Sequence, residues 1–268
     1  MKRKISFPNL PISEPLMDLF CEQSEQGRHF WQFIRSYNHN FAFTLMGVHV
    51  DDNNEIEHRL SESRDLPAHI VQRVKTILDQ ENPFVKEFRQ LAQREDLHQC
   101  KLIIKEQHPN QPQYCLPTAS QVAAVAVGVD EARQLYGRNI LVETIYGQPI
   151  TIPDVAGYYD PLQYPLLFPF GTYGWDINTT CANNNTVTCR EFYAYRFQIH
   201  LRPISTLLHE GRLLQQYGVD MHVKIESHKL RWIQQNQEAL WAKQYQGLQD
   251  AFQAGENYTG NVHLYCAI

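Results

Sequence analysis

The chain has 268 residues, with 24 Lys+Arg against 29 Asp+Glu, so its formal net charge is -5. Its 43% hydrophobic and 20% charged content is that of a folded protein and excludes a disordered chain. The length allows one large domain or two small ones, with enough core to fold without staples. No run approaches the roughly 18 apolar residues of a membrane span, and Pro8 and Pro11 interrupt any signal-peptide core after Lys2-Arg3-Lys4. The chain is therefore expected to be intracellular, with no membrane partner. Its six cysteines are scattered without a Cys-x-x-Cys pair, which argues for reduced, structural thiols and against a zinc site or a disulfide framework.

Taken in order, Ser24–Asn38 predicts a helix, with Phe30, Phe33, Ile34 and Tyr37 forming one buried stripe. Phe41–Val50 is aromatic and β-branched and reads as a strand. Residues 51–54 read as a turn, followed by helices over about 68–80 and 83–94; Pro83 suits a first helical turn. Lys101–Lys105 reads as a short strand. Thr118–Gln121 resembles a capped helix start leading into Val122–Val125. Ile140–Tyr146 and Pro149–Ile152 flank Gly147-Gln148 as a hairpin. The aromatic loop Tyr158–Trp175, broken by proline and glycine, reads as a buried plug rather than a platform for unpaired bases, because basic residues are missing from it. Asn178–Val187 reads as a mobile polar loop. Leu207–Gln249 reads as one long helix or a broken pair, with a stripe from Leu214 through Tyr217, Met221 and Ile225 to Trp232, Ile233 and Leu240. The sum is an α+β fold, with a small mixed strand and helix N-terminal part and a helix-dominated C-terminal third.

Charge is unevenly distributed. Residues 188–245 hold eight Lys/Arg against five acids, a net of +3, while residues 1–187 hold 16 against 22, a net of -6. A polyanion would meet the helical third first. Its candidate nucleic-acid contacts are Arg190, Tyr193, Arg196, Lys224 and Arg231. Tyr193 and Arg196 stand three apart, close enough on a helix for a stacked or phosphate-facing pair; a half-buried amphipathic face is the alternative.

Catalytic signatures are missing. There is no phosphate-binding Gly-x-x-x-x-Gly-Lys-Ser/Thr and no Gly-x-Ser-x-Gly elbow, and the twelve histidines include no His-x-His. His209-Glu210 has no second zinc histidine. Asp51, Asn53, Glu55 and Glu62 mimic a calcium loop, but Ile56 stands where the sharp turn needs glycine, so a polar turn leading into a helix is the better reading. Tyrosine attack on a phosphodiester needs a metal held nearby. No catalytic residue, metal ligand, cofactor or small-molecule substrate is assigned.

Longer motifs suggest a family. Asp160-Pro161-Leu162-Gln163-Tyr164-Pro165-Leu166-Leu167-Phe168-Pro169-Phe170-Gly171 with Gly174-Trp175 resembles the hallmark of the Helitron helicase-like N-terminal domain. Arg190-Glu191-Phe192-Tyr193-Ala194-Tyr195-Arg196 and Gly211–Asp220, running on to Leu230-Arg231, continue the likeness, as does Tyr245–Asp250. Upstream, Ile34–Asn38, Phe41–Thr44, Asn82–Val85 and Tyr114–Ala123 are similar to the segment that precedes that domain. The resemblance implies a eukaryotic rolling-circle transposase, whose nuclease histidines and tyrosines and whose helicase motor lie beyond the part matched here. Tyr193 and Tyr195 are not those nucleophiles.

The resemblance divides the chain into an upstream segment (1–50), an α+β segment (51–155), the Helitron helicase-like domain (156–254) and a divergent tail (255–268). Zinc cysteines that precede this segment in many members are missing, as are several tens of residues after Val50, including partners for the strand at Phe41–Val50. The expectation is a truncated, non-catalytic, nuclear fragment that contacts single-stranded or transposon-end DNA or scaffolds the nuclease. The alternative is an inert transposon remnant.

Overall fold

The computed structural model describes residue 7 and residues 11–42, 55–63, 65–92, 101–103, 124–126, 139–142, 150–181, 185–198 and 206–253. The chain divides into two compact units, Met1–His222 and Val223–Ile268.

The first unit opens with three short helices, α1 (Glu14–Cys21), α2 (Glu25–Gln32) and α3 (Ile34–Phe41). Ser13 caps α1 by accepting from the Leu16 amide, and Ser24 caps α2 by accepting from the Gly27 amide. Each hydroxyl satisfies one of the amides a helix start leaves unpaired. Of the stripe anticipated in this region, Phe30, Ile34 and Tyr37 are buried and Phe33 is half-buried. The chain breaks at Phe33, so the single anticipated helix is a pair.

Three further helices follow, α4 (Glu55–Glu62), α5 (Ala68–Glu81) and α6 (Pro83–Ala92). Ile70, Val71, Val74, Ile77 and Leu78 of α5 are buried at helical spacing. Asn82, itself fully buried, ends α5 and caps α6, its side chain accepting from the amides of Phe84 and Val85. Glu55, at the start of α4, binds Arg59 and Arg89 at 2.8 and 2.7 Å. The helix that the polar-turn reading leads into is present, while the turn itself, residues 51–54, lies outside the described residues. Arg59 also donates to the Asn40 carbonyl and lies over the Phe41 ring, tying α4 to α3.

β1 (Lys101–Ile103) pairs antiparallel with β2 (Ala124–Ala126), and β3 (Asn139–Val142) with β4 (Ile150–Pro153), Ile140 facing Ile152. The short strand and the hairpin were legible, but the helix anticipated through Val122–Val125 is not found at Ala124 and Val125, which form β2. Short apolar runs of this kind carry no period long enough to separate strand from helix.

These two-stranded ladders and a single Thr180–Thr186 bridge are the whole of the strand structure among the described residues. The α+β expectation is therefore corrected: the described chain is mostly helical, and residues 14–41 and 55–92 carry helices with no strand. Phe41 ends α3 instead of starting a strand; residues 43–50 lie outside the described residues, as does the capped start at 118–121. An aromatic residue is as well suited to a buried helix face as to a strand, and Phe41 is 3% exposed on such a face.

The proline-rich loop carries α7 (Tyr159–Gln163) and is buried as a plug: Leu162, Tyr164, Leu166 and Leu167 are at most 1% exposed. Of the polar loop anticipated at Asn178–Val187, the described residues include exposed Asn178, Asn185 and Thr186, and three bonds hold its ends. The Trp175 indole donates to the Val187 carbonyl, and backbone bonds join Val187 to Thr179 and Cys181 to Asn185. α8 (Cys189–Arg196) follows, then a 3-10 turn at Thr206–His209 and α9 (Gly211–Gln235).

In the second unit the chain turns at Asn236 into α10 (Gln237–Gln253), so the long C-terminal helix is the broken pair. The anticipated stripe holds at Tyr217 and Met221, both buried, and fails at Trp232 and Leu240, which are exposed.

Candidate nucleic-acid interface

The geometry of α8 starts from one buried carboxylate. Asp160, in the first turn of α7, is 0% exposed, and its Oδ2 accepts from the hydroxyls of Tyr193 and Tyr217 at 2.8 and 2.9 Å. A buried carboxylate is tolerated only where such donors replace its hydration. One oxygen thereby links the plug to α8 and α9. A Cβ on Gly174 would overlap this carboxylate, so glycine is what lets the loop close over it. Gly171 is required for a second reason: its φ is +67°, and a Cβ there would lie 2.9 Å from the Phe84 ring.

Around the carboxylate the rings pack edge to face. Tyr217 meets Tyr164, Phe168 and Tyr193 with centroids 5.1, 5.5 and 6.1 Å away. The Tyr164 hydroxyl donates to Asp220. Burial, and after it the charge of Asp160, holds the Tyr193 and Tyr217 hydroxyls well above the ordinary phenol range. Burial and the bond to Asp220 do the same for Tyr164, and burial pushes Tyr173 up to about 12. The Tyr164, Tyr193 and Tyr217 hydroxyls are hydrogen-bond donors to the Asp220 and Asp160 carboxylates.

The start of α8 is fixed by a capping box. Thr188 accepts from the Glu191 amide at 3.2 Å, and the Glu191 carboxylate accepts from the Thr188 amide at 3.0 Å. Cys189, Phe192 and Tyr193 form the buried face, and Arg190 and Ala194 are exposed on the other side. Phe7 packs against this helix, its ring centroid 5.1 Å from Phe192 and 5.2 Å from Tyr195. The Tyr195 hydroxyl donates to the Phe7 carbonyl at 3.1 Å. The Arg196 guanidinium lies over both Phe7 and Phe192, at 5.8 and 5.2 Å from the ring centroids.

The five anticipated contact residues thus meet different fates. Arg190 is exposed and Arg196 half-buried on one helix. Tyr193 is 1% exposed and turned inward to Asp160, which answers the open question about its helix face: that side of α8 is core. Lys224 and Arg231 belong to the second unit. Lys224 is 1% exposed, whereas Arg231 is half-buried, its Nε donating to the Ser227 carbonyl at 3.3 Å. In the same unit Trp241 and Tyr245 are 66% and 69% exposed.

Sequence reasoning missed two residues that organise this region and misjudged the orientation of a third. Asp160 sits among prolines, where an aspartate reads as a turn former. Phe7 stands alone between polar and proline residues. The inward turn of Tyr193 had a readable signal, since Cys189, Phe192 and Tyr193 fall at i, i+3 and i+4.

The Helitron helicase-like domain at the N-terminus, as a family model, matches residues 192–265. The resemblance drawn from the motifs is shown over that range, which begins within α8 and extends past residue 255. The hallmark segment Asp160–Trp175 and the motifs upstream of it lie outside the match. No curated protein matches the chain.

Proposed function

We propose that this chain is a non-catalytic, DNA-contacting part of a Helitron-type transposition protein, acting in the nucleus. The observation that carries the reading is α8 itself. Its inner face is locked by the Tyr193–Asp160 bond and its start by the capping box, while Arg190 is exposed beside the half-buried Arg196. A guanidinium on a rigid helix meets a phosphate without first having to be ordered. Arg231 is the contact assigned to the second unit. Single-stranded DNA is the partner in this reading, since the rolling-circle transposition that the resemblance implies passes through an unpaired strand. The non-catalytic part of the reading is supported by the burial of Tyr193 and Tyr217, whose hydroxyls both face Asp160 rather than solvent.

A second reading, a scaffold without DNA contact, is favoured by the burial of Lys224 and Tyr193, which withdraws two of the five anticipated contacts. Charge reversal separates the two. Arg190→Glu, Arg196→Glu and Arg231→Glu together should abolish anisotropy binding of a single-stranded oligonucleotide to the full chain. Unchanged binding would leave the scaffold reading. Nicking of that oligonucleotide by the wild-type chain with Mg²⁺ or Mn²⁺ would overturn the non-catalytic assignment.

A further inference from the structure

Phe33 interrupts α2 and α3 only locally. Its amide donates to the His29 carbonyl and its carbonyl accepts from the Tyr37 amide, each at 3.0 Å, so the helical period carries from one helix into the next. One face of the pair is therefore continuous. Arg28, Gln32, Arg35 and His39 recur three to four residues apart with Trp31 beside them, and all five are exposed. Residues 26–40 contain no Asp or Glu, and Arg28 and Arg35 form no ion pair among the described residues.

Trp31 is 44% exposed, yet one edge of its indole is held. A Cβ on Gly211, at the start of α9, would lie 2.9 Å from its Cζ2 and 3.2 Å from its Cε2, so the ring rests against the backbone there. It stacks on no other ring among the described residues. The next residue, Arg212, is exposed in the first turn of α9 and likewise forms no ion pair among them. Its Cα is about 3.8 Å from that of Gly211. Arg28 and Arg35 stand about 10 Å apart along the helix, with Trp31 between them. Three helices thus set three unpaired guanidiniums around one partly open indole.

An unpaired nucleotide supplies what this face lacks, negative charge for the arginines and a flat π surface for the indole. A duplex keeps its base faces covered in the stack. A protein partner would need a broader apolar patch than one tryptophan. We propose that Trp31, Arg28, Arg35 and Arg212 form a second single-stranded DNA site, in which one base stacks on the indole and the guanidiniums bind flanking phosphates. The site takes its ligand from the DNA-contacting reading and rests on it, while adding a stacking contact that the α8 arginines do not provide.

The test is anisotropy binding of the full chain to a single-stranded oligonucleotide and to an abasic strand of the same length. Trp31→Ala should weaken binding of the first by about fivefold or more, the loss of one stacked base, and leave the abasic strand unchanged. Trp31→Phe keeps a ring and should retain most of the affinity. Replacing Arg28, Arg35 and Arg212 by Ala should lower the magnitude of the slope of log K against log salt by about 2, since each phosphate contact on a single strand adds about 0.7. An equal effect of Trp31→Ala on both strands, or a slope untouched by the triple change, overturns the inference; the DNA reading stands if reversal at Arg190, Arg196 and Arg231 still abolishes binding. Absence of any binding by the wild-type chain overturns both.

Discussion

Tyr217 donates its hydroxyl to Asp160 across 57 positions of sequence, at 2.9 Å and fully shielded from water. With Tyr193 on the same oxygen, this bond is what makes the aromatic plug a support for α8. Tyr217→Phe removes one donor from a buried carboxylate and should cost about 1–3 kcal/mol. Asp160→Ala strands two buried hydroxyls and opens a cavity, so it should cost more than Tyr217→Phe. Urea unfolding of the two variants checks the order; a silent Asp160→Ala would mean the carboxylate does not hold these helices.

Gly174→Ala should be destabilising for a reason of space. The added methyl overlaps a carboxylate that two hydroxyls hold in place, so either the loop or Asp160 must move. The rescue experiment is specific: combining Gly174→Ala with Asp160→Ala should cost less than the sum of the two single changes, because neighbours that clash are not additive. Strict additivity in thermal melts would show that the methyl is accommodated elsewhere.

Acid stability should depend on Glu55. Burial alone would raise its pKa, but Arg59 and then Arg89 outweigh burial and hold it below 4.5. A folded-state pKa below the unfolded one means the contribution is complete above about pH 5 and is lost as pH falls through the folded value. Glu55→Gln should therefore lose stability at pH 7, by about 3–5 kcal/mol because it leaves Arg59 buried without its counter-ion. The gap to wild type should narrow toward pH 3. A constant gap across that range would contradict the ion-pair account.

Glu210 should behave in the opposite sense. It is 1% exposed, its Oε2 has no hydrogen-bond partner among the described residues, and burial raises its pKa well above 4.5. The folded carboxyl keeps its proton where the unfolded one has lost it, so stability falls as pH rises from about 4.5 through the folded value. Glu210→Gln carries no charge to bury, so its melting temperature should exceed that of wild type at pH 8 and approach it at pH 4. A lower melting temperature at pH 8 would show that the ionised form is the one the fold holds.

Much of the helical frame was legible, and the reason is periodicity. α5 shows Ile70, Val74, Ile77 and Leu78 at 3.6-residue spacing, and Pro83 marks the start of α6. Tertiary partners were not legible. β1 and β2 are three residues each and find each other across about twenty positions, and no local pattern announces such a pairing. Arg196 at i+3 suggested an outward Tyr193, yet the polar tip of a tyrosine is as well served by a buried acceptor as by water, and Asp160 supplies one from 33 positions away. The arginines of α8 were visible as charge. That Phe7 packs beside them depends on a contact spanning 188 positions.

Contact between α8 and DNA is tested most directly by a photocrosslinker placed at Ala194, an exposed position between Arg190 and Arg196. The full chain should crosslink a single-stranded oligonucleotide there at low salt, lose the product as salt rises, and give little product from the same group at Thr76, exposed on α5. Equal labelling at both positions, or none at Ala194, would contradict the account.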